Sequence, residues 1–357
     1  MQILTVDIGA SMQDILLFDS ERGAVKMTIP SPTMLVARAI QAATRRGDDL
    51  YLTGVAMGGG PCTKAVRDHI QAGCRVYAAP GVAYTFAHDV HTVRKMGVHI
   101  IPEHEHPPGA VRLEMRDLDF ASIIRTFMSF GVSADPDALA LAVFDHGTTI
   151  QDSRFAARFA HLGQHVQVEA GLTALAHTRA NIPANMPRMQ AVASSAPPTL
   201  PLIVMDPAFA ALLGGYQDAH IRRRKSLLIA HLGTMHTLVA HIRRGKITGL
   251  VEHHTSELNP RKLEHLLTAL IGGTLDAGHV LDGHGALILD HTPSRSEFLA
   301  VTGVKSNLLC GIRYHPYFAA PYGDTEFVGC WGLVHAYAAL HPQYAPRLEA
   351  ALTGRDE

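Results

Sequence analysis

At 357 residues the chain is long enough for two or three domains, each able to bury a core of its own. Apolar residues make up 47% and charged residues 18%, and the net charge of −1 arises from interspersed basic and acidic side chains, so neither a nucleic-acid groove nor an anionic membrane surface is indicated. The four cysteines, Cys62, Cys74, Cys310 and Cys330, include no C-x2-C pair, which excludes a zinc ribbon or disulfide framework and suits reduced thiols in a cytoplasm.

The apolar run Ile3 to Val6 ends in Asp7-Ile8-Gly9-Ala10-Ser11, and a second run follows from Ile15 to Phe18, a pattern that predicts strand, tight turn, strand. Asp7 also breaks what would be the apolar centre of a signal peptide. Gly9 lets backbone approach a ligand closely, and Ala10 and Ser11 leave room for an anion against backbone N–H groups. Asp7, at the strand end, is suited to a hydrated Mg²⁺. Ala24 to Ile29 completes a meander, Pro30-Ser31-Pro32 breaks it, and Thr33 to Arg46 carries helical periodicity up to Gly47. A strand from Leu50 to Val55 runs into Gly58-Gly59-Gly60 and a helix from Cys62 to Gln71, an order that points amides at a phosphate or allows tight packing of strand on helix.

Cys74 to Ala79 predicts a further strand, and Pro80 to Pro108 is irregular and rich in histidine. Within it Glu103-His104-Glu105-His106 offers carboxylate and imidazole to a transition metal or forms an exposed polar tip. Leu118 to Phe130 predicts an amphipathic helix, and Leu139 to Phe144 a buried strand ending at Asp145. An acidic residue at the carboxyl end of such a strand sits where open α/β sheets bind ligands, or it caps a turn or helix. Residues 151–225 are expected to be a mostly helical connecting segment or cap that includes the strand Leu202 to Met205, the helix Ala208 to Leu213 and the basic run Arg222-Arg223-Arg224-Lys225, a solvated linker.

The plan then repeats. Leu227 to Leu232, Gly233-Thr234-Met235-His236-Thr237 and Leu238 to Ala240 form a second hairpin, and the basic-Gly turns Arg22-Gly23 and Arg244-Gly245 open a third strand in each copy. Two such copies indicate an internal duplication, with the facing hairpins forming a clamp for the phosphates of a nucleotide. A helix from Pro260 to Leu270 and strands Ala286 to Leu289, Phe298 to Thr302 and Tyr317 to Ala320 follow. The helix Phe327 to Leu340 closes the copy, its Gly329 and Gly332 suited to close packing on the sheet.

These loops resemble the phosphate-1 and phosphate-2 loops of the acetate and sugar kinase, heat-shock chaperone and actin superfamily. Asp7-Ile8-Gly9, Met57-Gly58-Gly59-Gly60-Pro61, Gly233 with His236-Thr237-Leu238, Gly283-His284-Gly285-Ala286 and Gly329-Cys330-Trp331-Gly332-Leu333 resemble, more narrowly, a family in that superfamily often labelled pyruvate formate-lyase activating enzyme. The resemblance implies an α/β fold of two RNase H-like, actin-like ATPase halves with mixed sheets flanking a nucleotide cleft. Residues 1–150 would form the first half, 151–225 the connecting segment and 226–357 the second half. It implies ATP and Mg²⁺ as cofactors, with Asp7 holding the ion and Gly9, Ala10, Ser11, Gly58, Gly59, Gly60, Gly233, Thr234 and Thr237 around the phosphates. Asp145 would be the base that orients an acceptor, and Gly303 would lie on the adenosine side. The partners implied are a nucleotide and a small molecule or protein.

Two features depart from this pattern. His231 stands where the first hairpin has Asp7, and neutral imidazole is no substitute for a carboxylate on hard Mg²⁺. The isolated cysteines provide no triad for a [4Fe–4S] cluster, so the activating-enzyme activity is not expected. Two other readings therefore stand beside a phosphotransferase or ATPase: a nucleotide-sensing or assembly module without turnover, and a metal-dependent enzyme using His253-His254 or the 103–106 cluster.

Overall fold

The computed structural model describes residues 1–87, 89–147, 159, 162–166, 171–275, 284–294 and 298–353. Its first sheet begins with the meander β1 (Gln2–Ile8), β2 (Met12–Asp19) and β3 (Gly23–Pro30). An inserted unit follows, with helices α1 (Pro32–Arg46), α2 (Gly60–Gln71) and α3 (Val90–Lys95) around four short strands. These are β4 (Leu50–Gly54), β5 (Val76–Ala78), β6 (Val98–Ile100) and β7 (Val111–Met115). They pair in parallel in the order β6-β5-β4-β7, and Ile40, Leu52, Val66 and Val82 belong to a core of the unit's own.

After α4 (Phe120–Ser129) the chain returns to the first sheet with β8 (Ala138–Val143), β9 (Ala176–Thr178), α5 (Pro187–Ser195) and β10 (Leu202–Met205). The sheet order is β3-β2-β1-β8-β10-β9, with the meander antiparallel and β1, β8 and β10 parallel. Every residue of β8 and β10 is buried, as expected of central strands covered on both faces.

Helices α6 (Pro207–Tyr216) and α7 (Ala219–Arg222) lead to the second sheet. Its strands are β11 (Ser226–Leu232), β12 (His236–Arg243), β13 (Lys246–His254), β14 (His284–Ile288), β15 (Phe298–Gly303) and β16 (His315–Phe318), with α8 (Pro260–Gly272) on its outer face. The order is β14-β13-β12-β11-β15-β16, again an antiparallel meander joined to parallel strands through its first strand. Both sheets thus share the order third, second, first, fourth, fifth, with one extra edge strand each. This is the duplicated RNase H-like, actin-like α/β fold that the sequence led us to expect.

Strand β10 pairs with β8, so part of the 151–225 segment completes the first sheet instead of standing apart from it. The boundary expected at residue 150 therefore cuts through a sheet. The sequence could not show this, because β10 is short and its partner in the sheet lies 63 positions earlier in the register Leu202 with Leu139.

The two halves exchange helices. Helix α6, leaving the first sheet, packs on β11, β12 and β15, whereas α9 (Val328–Leu340), leaving β16, packs on β1, β2, β8 and β10. The helices cross where Gly214 faces Gly332. A Cβ on Gly214 would run into the Val328 carbonyl, and one on Gly332 into that of Ala210. This close approach lets one core, with Ile3, Phe209, Ile229 and Leu333 among its members, fill the space between the sheets. The last helix, α10 (Ala345–Thr353), packs against α9.

Candidate functional site

The duplication extends to the hydrogen bonds of the hairpin tips. In the first, the Gly9 N–H donates to Met12 O at 3.0 Å; in the second, Gly233 N–H donates to His236 O at 3.1 Å. A hydroxyl residue just past each third strand braces its tip. Ser31 donates from N–H to Ser11 O (3.0 Å) and from its hydroxyl to Ala10 O (3.1 Å). Thr255 donates from N–H to Met235 O (2.9 Å) and from its hydroxyl to Gly233 O (2.8 Å). The exposed Thr234 sits on the second tip, and buried Thr237 shares a hydrogen bond with the Thr255 hydroxyl at 3.0 Å.

Alternation along β1 turns Leu4, Val6 and Ile8 to the outer core and Ile3, Thr5 and Asp7 toward α9. Gly329, in the first turn of α9, lies so close that a Cβ there would overlap Asp7 Oδ2. Asp7 stands opposite Asp14 in the β1–β2 register, and Asp206 caps α6 at the end of β10. Burial, then the charges of Asp14 and Asp206, pushes the Asp7 carboxyl from 3.8 to about 8. Burial also raises Asp14, against the Thr28 hydroxyl that donates to it at 2.6 Å. At the carboxyl end of the first sheet the Asp7 carboxyl thus lies against the first turn of α9, with Asp14 and Asp206 among the charges that act on it.

Asp145 occupies the carboxyl end of β8 but is committed to structure. Its Oδ2 accepts from the N–H groups of Arg188 (2.8 Å) and Met189 (2.9 Å) in the first turn of α5, and its Oδ1 from Gly147 N–H (2.9 Å). It is 4% exposed, so the capping role, not that of base, fits its surroundings. The glycine-rich turn packs tightly, the alternative that the sequence left open. It belongs to the inserted unit, where Gly60 opens α2, Gly59 O accepts from the Thr33 hydroxyl (3.2 Å) and Gly58 N–H donates to Asp117 (3.1 Å). The Arg188 guanidinium packs against Gly58 and forms two hydrogen bonds with Asp117, at 2.7 and 3.1 Å, while donating to Phe144 O.

In the second half, His231 mirrors Asp7. It shares a hydrogen bond with the Thr302 hydroxyl at 3.1 Å, and burial lowers its imidazole to about 4, so it is neutral. Gly303, with φ of 92°, lies against the Leu232 carbonyl, where a side chain would clash. A cavity of about 420 Å³ opens beside α8, lined by Asn259, Pro260, Arg261, Glu264, Cys310 and Gly311.

The halves also touch through rings. Phe144, at the end of β8, stacks on His236 of the second hairpin at 4.2 Å between centroids and 17° between planes. His146 and His254 lie 5.9 and 4.8 Å from the same imidazole. His236 Nδ1 is 3.2 Å from Oε1 of fully buried Glu252, within ion-pair range though not aligned as a hydrogen bond.

The other histidine candidates lie elsewhere. Residues 103–106 form an exposed loop in the inserted unit, and His253 is buried with Nδ1 2.9 Å from His254 O. Among the described residues no group of three His, Cys, Asp or Glu side chains is placed to hold a metal, and no helix is long and apolar enough to cross a membrane. Gly283, Thr148 and Thr149 lie outside the described residues.

A family model described as "Putative pyruvate format-lyase activating enzyme (DUF1786)" matches residues 57–308. The chain belongs to this family. No curated protein sequence matches it. Among solved structures, it is similar to the ROK hexokinase from Thermus thermophilus, with 12% identity, 96% of this chain and 100% of that one covered, and a TM-score of 0.35. It is also similar to a ROK family glucokinase from Streptomyces griseus crystallised with glucose and AMPPNP (13% identity, 93% and 98% covered, TM-score 0.34). A third is the ethanolamine utilization protein EutJ from Carboxydothermus hydrogenoformans (9% identity, 93% and 89% covered, TM-score 0.29). The fold of this family member rests on its own strand order and pairing.

Proposed function

We propose that this family member binds ATP with Mg²⁺ between its two hairpins and transfers the terminal phosphoryl group to a small acceptor or to water. The observation that carries the reading is Asp7. A carboxyl pressed against Gly329 and crowded by Asp14 and Asp206 is destabilised as an anion, and a hydrated divalent cation would relieve it. Mg²⁺ held there would neutralise charge on the β- and γ-phosphate oxygens. The tips Gly9-Ala10-Ser11 and Gly233-Thr234 would turn amides and hydroxyls to those phosphates, and the cavity beside Arg261 and Gly311 would receive the nucleoside, with Gly303 at its approach.

The activating-enzyme reading is not part of this proposal, since its cluster needs three thiolates together. Cys62 lies in α2, Cys330 in α9, and Cys74 and Cys310 in separate loops. A second reading, a nucleotide sensor without turnover, draws support from neutral His231, which leaves a single hairpin with a metal-holding carboxylate.

Calorimetry with ATP–Mg²⁺ and a non-hydrolysable analogue tests the proposal. Wild type should bind both, and Asp7→Ala should bind at least about tenfold more weakly, a loss of about 1.4 kcal/mol. Equal affinity in the two proteins, or no binding by wild type, would refute it.

A further inference from the structure

We infer that His236, beside Glu252, is the group that takes the proton from the hydroxyl receiving the phosphoryl group, an assignment that rests on the nucleotide reading above. Asp145 cannot serve without giving up the N–H groups of Arg188 and Met189 that it caps. His236 stands close by in space but in the other half of the molecule. It opens β12, and its ring lies flat on Phe144, the residue immediately before Asp145. The imidazole therefore reaches from the second hairpin to the carboxyl end of β8, the edge where open α/β sheets receive ligands.

Glu252 stands beside this imidazole. The carboxylate is fully buried on β13, and its Oε1 lies 3.2 Å from His236 Nδ1. An imidazolium formed there would stand beside a carboxylate. A base oriented by a carboxylate at one ring nitrogen and presented to the reactant by the other is a recurring device for activating a hydroxyl. Among the described residues, the other titratable rings in contact with His236 are His146 and His254.

In the step, the acceptor oxygen bonds to the γ-phosphorus as the bond from that phosphorus to the β,γ-bridging oxygen breaks. The nucleoside diphosphate leaves with that electron pair. The hydroxyl proton passes to His236 Nε2, and the resulting imidazolium stands beside Glu252.

The test pairs calorimetry of ATP–Mg²⁺ binding with phosphate release to water as the surrogate acceptor. His236→Asn keeps a donor directed at Glu252 but accepts no proton. It should bind ATP–Mg²⁺ within about threefold of wild type and release phosphate at least about 100-fold more slowly, with the acid limb of the wild-type rate profile gone. His236→Ala should regain part of the rate on addition of free imidazole, which shows that the variant is folded and lacks only the base. His236→Asn retaining more than about a third of the wild-type rate, or an unchanged acid limb, overturns the inference. Wild type that binds ATP–Mg²⁺ but releases no phosphate overturns it as well and leaves the nucleotide reading standing. Wild type that binds no ATP–Mg²⁺ overturns both.

Discussion

Removing the charge of Asp7 should make the ligand-free protein more stable, by an amount set by pH. The folded carboxyl titrates near 8 against an ordinary value of 3.8. Between those values the unfolded chain has released a proton that the folded chain keeps, so stability falls as pH rises from about 4 to about 8 and is flat above. At about 1.4 kcal/mol per pH unit, the ceiling is on the order of 6 kcal/mol. The cleft is partly open to water, and an effective dielectric nearer 20 than 4 brings the figure to about 2–3 kcal/mol. For a chain of this length that is about 3–4 °C in melting temperature.

Asp7→Asn resembles the protonated residue at every pH. Its melting curve, followed by scanning calorimetry without nucleotide, should converge on that of wild type toward pH 4 and lie above it by several degrees at pH 8.5. Millimolar ATP–Mg²⁺ should then raise the wild-type midpoint and leave that of the variant in place, closing the gap. A gap of equal size at both pH values, or a variant that melts lower at pH 8.5, would refute the electrostatic account of the site.

Gly332→Ala should destabilise the protein by more than about 3 kcal/mol, seen as an early melt, because the added methyl meets the Ala210 backbone carbonyl and forces the exchanged helices apart. Arg188→Met should cost about 3–5 kcal/mol in denaturant titration, since it leaves Asp117, 1% exposed, as a buried carboxylate without its guanidinium. The double change Arg188→Met with Asp117→Leu should recover much of that loss if the pair is structural, and little of it if the guanidinium also binds a ligand.

The parts of the fold legible in the sequence are those whose signal is local. Both meanders declare themselves through alternating apolar runs broken by Gly9, Gly23, Gly233 and Gly245, and their duplication holds down to the bonds of Ser31 and Thr255. The inserted parallel sheet was not legible as a unit. Val76–Ala78 falls within the strand expected over Cys74 to Ala79, but Val98–Ile100 is three residues long, too short for a period to show within a stretch that looks irregular. The site divides in the same way. Asp7 and the hairpin glycines could be proposed because a strand end and a turn mark them. The role of Asp145 is decided by amides 43 and 44 positions later, and Arg188 finds Asp117 across 71 positions. Glu252 sits on a strand whose neighbours on both sides and covering helix bury it, which no local pattern encodes.

The asymmetry between the hairpins follows from the symmetry of the fold that carries them. Each first strand directs its penultimate residue, Asp7 or His231, toward the inner core between the sheets. On the first side Asp14 and Asp206 already crowd the position, and the Asp7 carboxyl is relieved by a proton or, on the reading proposed above, by a cation. On the second side the strand opposite offers Leu238 and the parallel neighbour offers Thr302, whose hydroxyl bonds a neutral imidazole without help from any ion. A carboxylate in place of His231 would be an anion beside Leu238 and one hydroxyl, so replacement by a neutral ring removes a charge that this half has no means to satisfy. Duplication thus preserves two similar backbone cradles, and charge balance separates them: the cation proposed above would sit on the first, and the second carries a neutral ring.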